Sequence, residues 1–437
     1  MRKNLFYSIL IVLLVASAQV VQAEVEYVDL DPYTKMDIEW ELIREKKRKG
    51  LGDAISREWN TMRSNMYENQ INSEQFWNTL RLSVVDGTFI NRAANYQRDD
   101  ETRGSDIFLK SVYAATEQIP VTYRSVTPRG DSVTLSGKIF VPKIKKALNI
   151  VIASHYTICS NIEAPSNACS LEGIFATKGY IVLMPDYIGY GISDSITHPY
   201  LHTESTVRSA IDLLEAAIPY LRYHEYTFDP SLILIGYSQG GAATLALQRT
   251  LESEYADKYQ VEQVYAGAGP YDLAGTYEYY ISKPTIDIPC ALPMIIIGMD
   301  YGENLGFKRE DFFQPFMLRN CKALIEDKKM PMNLVNEILG NDIEYILKPV
   351  IFQKDSFPTS VLYQALKKNS VMDWTPKAPL YMFHSTEDNM VPFLNSERLS
   401  EQFKAKKLGN IEYDFDAYGN HMNGAVTFFE KVYRMLL

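Results

Sequence analysis

Apolar residues in the C-terminal three-quarters of the chain fall into short unbroken runs separated by stretches of helical period. Residues 147–153, Tyr180-Ile181-Val182-Leu183-Met184, Leu232-Ile233-Leu234-Ile235, residues 261–266 and Pro379-Leu380-Tyr381-Met382-Phe383 each read as a strand buried on both faces. A half-exposed strand would alternate instead. Between them, residues 204–221 place Val207, Ala210, Ile211, Leu214 and Ile218 on one stripe, the spacing of an amphipathic helix. Residues 171–177 and 393–403 also look helical, and a final helix follows the last strand, 411–415. Ahead of the alternating part, residues 119–126 and 132–141 flank the turn-rich Thr127-Pro128-Arg129-Gly130-Asp131, which predicts a β-hairpin. Strands alternating with helices predict an α/β fold, a mostly parallel sheet with helices on both faces.

The alternation lapses twice. Residues 24–110 are polar, helical in character and aromatic, with Trp40, Trp59 and Trp77 spread along them. They predict an N-terminal helical extension without visible chemistry. From about residue 273 to 374 apolar and aromatic patches continue without regular strands, as in Phe312-Phe313-Gln314-Pro315-Phe316-Met317. An insertion of that length between two strands reads as a cap over the C-terminal edge of the sheet, where open α/β sheets bind ligands. Its apolar residues could line an acyl site or form the cap's own core. The expected organisation is therefore a domain over 111–437 interrupted by a cap at about 273–374.

The extreme N-terminus changes the picture of where the protein works. Met1-Arg2-Lys3 is followed by an apolar run through Val15 and by Val21-Gln22-Ala23. A basic start, a short apolar core and small residues at −3 and −1 describe a secretory signal peptide over 1–23, cleaved near Ala23, with Ala16-Ser17-Ala18 as a second site. The apolar core is short for a membrane span, so no stable membrane anchor is expected, and the mature protein is expected to be secreted or periplasmic. The net charge of −10 argues against nucleic acid or an anionic membrane as partner. The basic cluster at Arg44-Glu45-Lys46-Lys47-Arg48-Lys49 reads as a solvated helix end before Gly50. Four cysteines in an exported chain suggest disulfides, and Cys159–Cys169 with Cys290–Cys321 is the simplest of three pairings. Their spacing does not suit zinc, and no metal or cofactor is called for.

The candidate chemistry starts at Gly236-Tyr237-Ser238-Gln239-Gly240, directly between an apolar strand and the helix-forming run Gly241-Ala242-Ala243-Thr244-Leu245-Ala246-Leu247. G-x-S-x-G in a strand–turn–helix context lifts a serine hydroxyl clear of the backbone as a nucleophile, here Ser238. It also leaves the Gln239 amide free at a helix N-terminus to donate to an oxyanion. A serine needs a base, and the base an orienting acid, in the chain order Ser, Asp/Glu, His. Downstream, the strand ending at Phe383 runs into His384-Ser385-Thr386-Glu387-Asp388, and Asp388 is the candidate acid with Glu387 in reserve. His421 is the only histidine after Asp388 and follows the last strand in a loop, so it is the candidate base. His384 competes by proximity but precedes the acid at a strand end, where it would hold the loop. The second oxyanion donor should come from Ser154-His155-Tyr156-Thr157, with Thr157 the expected amide.

Over roughly residues 118–437 the chain resembles α/β-hydrolases of the secreted lipase/esterase group. The resemblance rests on Ser154-His155-Tyr156-Thr157, Pro185-Asp186-Tyr187-Ile188-Gly189-Tyr190-Gly191, the serine elbow, and an acid loop similar to H-G-T-x-D-x-x-V-P. His198-Pro199-Tyr200-Leu201-His202 followed by Glu204-Ser205 also resembles a stretch of secretory lipases. Tyr156 and Ser385 stand where the group has glycine. Asp186, His198 and His202 read as loop-bracing residues. The resemblance implies a serine hydrolase that cleaves carboxylic esters through an acyl-enzyme, acting on a small-molecule, lipid or polysaccharide ester. The same triad would also serve a dipeptidyl- or prolyl-type peptidase or an acyltransferase. A silent binding protein would have lost a triad member, and all three are in order.

Overall fold

The computed structural model describes residues 116–436, apart from Lys145 and Cys169. The expected signal peptide, the expected helical extension and the basic cluster lie outside the described residues. Eight strands among them form one sheet: β1 Thr116–Val126, β2 Ser132–Pro142, β3 Lys146–Ser154, β4 Ile181–Pro185, β5 Thr227–Tyr237, β6 Val261–Gly267, β7 Leu380–Ser385 and β8 Ile411–Asp416. Their order across the sheet is β1-β2-β4-β3-β5-β6-β7-β8. β1 and β2 are the antiparallel hairpin, from Thr116 opposite Pro142 to Val126 opposite Ser132. β2 meets β4 antiparallel. Every pairing from β4 through β8 is parallel.

The unbroken apolar runs are explained by the layers on either side. Along β3, Ile150 and Ile152 face one core while Val151 and Ala153 face the other. On the first face pack helices α1 Thr203–Tyr223 and α2 Gln239–Glu254, through Leu213, Leu214 and Leu245. On the second lies Phe175, from Leu171–Lys178, which winds as 3₁₀ turns and stops at Gly179 with φ 100°. Such a φ favours glycine.

Between β6 and β7 the chain turns helical and carries no strand of the sheet. Its longer members are α3 Leu273–Ile281, α4 Ala291–Glu303 and α5 Thr359–Asn369, with shorter turns between them. The apolar patches noted in the sequence are the core of this insert: Phe312, Phe313 and Met317 are fully buried together with Tyr277, Leu292 and Met299. Cys159, Tyr200 and Leu201 from loops at the sheet's C-terminal edge belong to the same cluster, so the insert is seated on that edge. Helices α6 Leu394–Ala405 and α7 His421–Met435 complete the fold. Phe403 on α6 joins the first face, and Phe428 and Val432 on α7 the second.

The cysteines depart from the expected pairing. Cys159, Cys290 and Cys321 are buried free thiols, so neither the Cys290–Cys321 bridge nor a bridge to Cys159 is present, and Cys169 lies outside the described residues. Cys321 stands apart, its Sγ 3.8 Å from an Arg309 guanidinium nitrogen, whereas the Cys159 thiol lies against that of Cys290 and 3.6 Å from Met294 Sδ. No helix among the described residues is long and apolar enough to cross a membrane.

Candidate active site

Ser238 stands where β5 turns into α2. Its backbone, at φ 60° and ψ −127°, is one that non-glycine residues rarely adopt. Such a conformation costs about 1–3 kcal/mol and persists only where its surroundings enforce it. Here they do: Ser238 N–H donates to Gly267 O at 2.9 Å, and Ser238 O accepts from Gly241 N at 2.9 Å. The flanking glycines leave no alternative. A Cβ on Gly236 would lie 2.1 Å from Gly240 O, and one on Gly240 would lie 2.1 Å from Ser154 O.

The second contact also shows how the sheet positions the neighbouring loop. β3 and β5 are adjacent, with Ser154 opposite Gly236, although the chain visits β4 between them. The sheet order reverses at this point, the place where open α/β sheets form a ligand crevice at their strands' C-terminal ends. The loop after β3 is therefore set against the start of α2. In it His155 is buried, and burial lowers its pKa, leaving a neutral ring whose Nδ1 lies 2.6 Å from Tyr156 O. Thr157 is buried too, with Oγ1 2.8 Å from the Tyr200 hydroxyl. Gln239 is the first residue of α2, where backbone amides have no partner within the helix.

Asp388 and His421 come together. Asp388 Oδ2 lies 2.6 Å from His421 Nδ1, and the carboxylate is completely buried. A carboxylate only accepts, so Nδ1 carries the proton and Nε2 keeps its lone pair. The other oxygen, Oδ1, accepts from Met390 N at 2.9 Å and Val391 N at 2.8 Å. Burial by itself would raise the pKa of Asp388, but the His421 charge and the imidazole donors outweigh it and hold the carboxyl well below the usual range.

His421 is the first residue of α7 and not a loop residue, a small shift from the sequence reading, with Asn420 capping the helix. Three contacts invisible in the sequence hold it. Its backbone N–H donates to Asn389 Oδ1 at 3.1 Å, and its carbonyl accepts from the Tyr237 hydroxyl at 2.8 Å. The Tyr237 and His421 rings lie 4.9 Å apart. Tyr237 directly precedes Ser238, so the imidazole is tied to the serine's own neighbour. No local pattern marks Tyr237 or Asn389, because their roles exist only once β5, the acid loop and α7 meet.

The remaining candidates are placed elsewhere. Glu387 is exposed and accepts from Gly419 N at 3.1 Å. Asp186 is buried and accepts from the Ser136 hydroxyl and from Ser166 N. His198 Nδ1 lies 2.6 Å from Ile188 O, and burial pushes its pKa down to about 3. His202 caps α1 through Ser205. These three hold loops.

Comparison with known proteins follows the same geometry. The family model for secretory lipases matches residues 166–287 and 326–430, over half the chain. The first stretch contains Ser238, the second Asp388 and His421, and the interval between them lies in the helical insert. The secreted triacylglycerol lipase LIP5 of Malassezia furfur is 24% identical over 244 residues, 53% of this chain and 58% of that protein, so the chain spans less than two thirds of the relative's length. Among solved structures, a protein from Legionella pneumophila superposes with a TM-score of 0.67 at 22% identity, covering 74% of this chain and 89% of that one. The rice cell wall degrading esterase LipA of Xanthomonas oryzae gives 0.66 at 21% identity, covering 76% and 92%. Lipase A of Candida antarctica gives 0.54 at 16% identity, covering 70% and 73%. The shared architecture is the α/β-hydrolase fold. On the extent of the family match, with the elbow, acid and histidine all inside it, this chain belongs to the secretory lipase family.

Proposed function

We propose that the protein is a secreted serine hydrolase of carboxylic esters, with Ser238 as nucleophile, His421 as base and Asp388 as orienting acid. The observation that carries this reading is the 2.6 Å contact between a fully buried Asp388 carboxylate and His421 Nδ1, on an imidazole anchored by the residue next to Ser238. That contact leaves the Nε2 lone pair available to take the serine proton.

In the first half-reaction Ser238 Oγ attacks the ester carbonyl carbon as His421 Nε2 accepts its proton. The carbonyl oxygen becomes an oxyanion, held by the Gln239 and Thr157 amides, each worth about 3 kcal/mol of transition-state stabilisation. His421 then gives the proton to the leaving alcohol, and an acyl-enzyme remains. Water attacks the acyl carbon in the second half-reaction, its proton passing to Nε2 and back to Ser238 as the acid departs. Asp388 stays ionised throughout and stabilises the imidazolium. The insert between β6 and β7 acts as a cap over the crevice and sets which esters enter.

Hydrolysis of nitrophenyl esters from acetyl to palmitoyl, compared with Ser238→Ala, tests this. Loss of turnover by about six orders of magnitude in the variant is expected. Undiminished turnover there removes Ser238 as nucleophile. Cleavage of aminoacyl-nitroanilides but not of esters would replace esterase by peptidase.

A further inference from the structure

His384, the last but one residue of β7, is completely buried, yet none of its polar atoms is used by the mechanism above. Its Nε2 lies 3.1 Å from Val391 O and 3.4 Å from Asp388 Oδ2. Its Nδ1 lies 2.7 Å from Ser396 Oγ. A carbonyl oxygen only accepts, so the proton sits on Nε2, shared between Val391 O and the carboxylate. In the neutral ring Nδ1 then accepts the Ser396 hydroxyl proton. The chain of contacts runs Ser396, His384, Asp388, His421, across α6, β7, the acid loop and α7.

We propose that His384 is a positioning residue for the catalytic acid: it fixes the turn and the rotamer that present Asp388 to His421 and takes part of the negative charge on Oδ2. This rests on the Ser238–His421–Asp388 reading. Two imidazoles converge on one oxygen, His421 from the front at 2.6 Å and His384 from behind at 3.4 Å. Val391 closes the arrangement, because its N–H donates to Asp388 Oδ1 while its carbonyl receives the His384 proton. Space-filling alone would be met by an apolar ring, without the cost of burying two polar nitrogens. The Phe393 ring, edge-on at 5.5 Å, fixes the imidazole plane from the other side.

Few groups near Asp388 can blur the readout. Besides the two histidines, the phenols of Tyr237, from β5, and Tyr280, from α3, are titratable groups among the described residues that interact with it. Burial, reinforced by the Asp388 charge, pushes both phenols well up, so neither ionises in the working range. Glu387 is exposed and engaged with Gly419.

The test compares His384→Phe, His384→Gln and Ser396→Ala with the unsubstituted protein. Readouts are kcat, KM and the pH dependence of kcat/KM on a nitrophenyl ester, beside thermal melts. Without the second donor, Asp388 gives its full charge to the imidazolium of His421, which then forms more readily. In His384→Phe the acid limb of kcat/KM should move up by about half a pH unit or more, with kcat about tenfold lower and KM unchanged. His384→Gln, whose amide can donate in place of Nε2–H, should recover most of both. Ser396→Ala should move the limb the same way by less. A folded His384→Phe enzyme with the original acid limb and kcat overturns the proposal. So does a Gln variant no better than Phe. Should the Phe variant not fold, an unchanged limb and kcat in Ser396→Ala overturns it instead. Ser238→Ala separates the two levels: if it is active, the triad reading itself fails, and if it is inactive only the role of His384 is in question.

Discussion

Replacing Asp388 by asparagine leaves the shape of the site almost unchanged and should nonetheless abolish most of its activity. The reason lies in how the carboxylate is already held. Oδ1 accepts two backbone N–H groups, from Met390 at 2.9 Å and Val391 at 2.8 Å. In Asp388→Asn only the amide oxygen can occupy that position, because an NH₂ group there would face two donors. The NH₂ group is therefore forced to the Oδ2 position, 2.6 Å from His421 Nδ1. Against that donor Nδ1 must offer its lone pair, which places the ring proton on Nε2, the atom that takes the serine proton in the proposed mechanism. The productive tautomer would set N–H against N–H in a fully buried site and lose the bond as well. His384 Nε2–H, 3.4 Å behind the Oδ2 position, would favour the oxygen there, but the two backbone donors on Oδ1 are closer and outweigh it. A loss of about 10⁴ in kcat is expected for such a tautomer error, equivalent to about 5 kcal/mol. KM should hardly change, since the acid does not touch the ester. The assay is steady-state hydrolysis of a nitrophenyl ester, with circular dichroism to show that the variant folds. The paired control is Glu387→Gln, exposed and bonded to Gly419 N with no contact to the imidazole among the hydrogen bonds and ion pairs, which should keep activity within about twofold. A folded Asp388→Asn enzyme within tenfold of the original kcat would refute the orienting role.

Other perturbations probe the scaffold. Tyr237→Phe keeps the ring against His421 but removes the 2.8 Å bond to its carbonyl. A hydrogen bond of about 1 kcal/mol predicts a several-fold fall in kcat, and a kinetically silent variant would show that Tyr237 does not hold the base. Gly240→Ala puts a methyl 2.1 Å from Ser154 O, a backbone atom that cannot move without shifting β3. Loss of soluble protein or a melting temperature lower by many degrees is expected, and a normally stable active variant would contradict the elbow geometry. Glu172 is buried, with one carboxylate oxygen unpartnered, and burial pushes its pKa up to about 7. The unfolded chain releases this proton near pH 4.5 and the folded protein only near 7, so its contribution to stability falls as pH rises across that interval. Glu172→Gln should remove that decline, and melts at pH 5 and pH 8 will show it. Equal pH dependence in the two proteins would mean that Glu172 ionises as freely when folded as when unfolded.

The elements most legible in the sequence were those whose identity is decided within a few residues. The hairpin turn at Thr127–Asp131, the doubly buried runs of β3 to β7 and the stripe on α1 follow from local sterics and from the period of burial. Ser238 was legible for the same reason: only glycine fits at positions 236 and 240, so the turn is written into five consecutive residues. The order of Asp388 and His421 behind it narrowed the partners, because each strand of a parallel sheet delivers its loop to the same edge.

Other features have no local signature. The apolar patches of the insert could have lined a ligand site. Packing put Phe312, Phe313 and Met317 into its own core, a choice that depends on which surfaces meet. Disulfide pairing was misread because spacing along a chain says nothing of distance in space, and Cys290 and Cys321 face different neighbours. Tyr237, Asn389 and His384 acquire their roles from contacts spanning 184, 32 and 12 positions. The sequence by itself determined which serine, acid and histidine stand in the order that the proposed triad needs, since each candidate depends on the chain near it. Only the tertiary structure decided how the imidazole is held, which oxygen of Asp388 faces it and what stands behind that oxygen. Those are relations between elements remote in the chain, and they come into being only when the sheet closes.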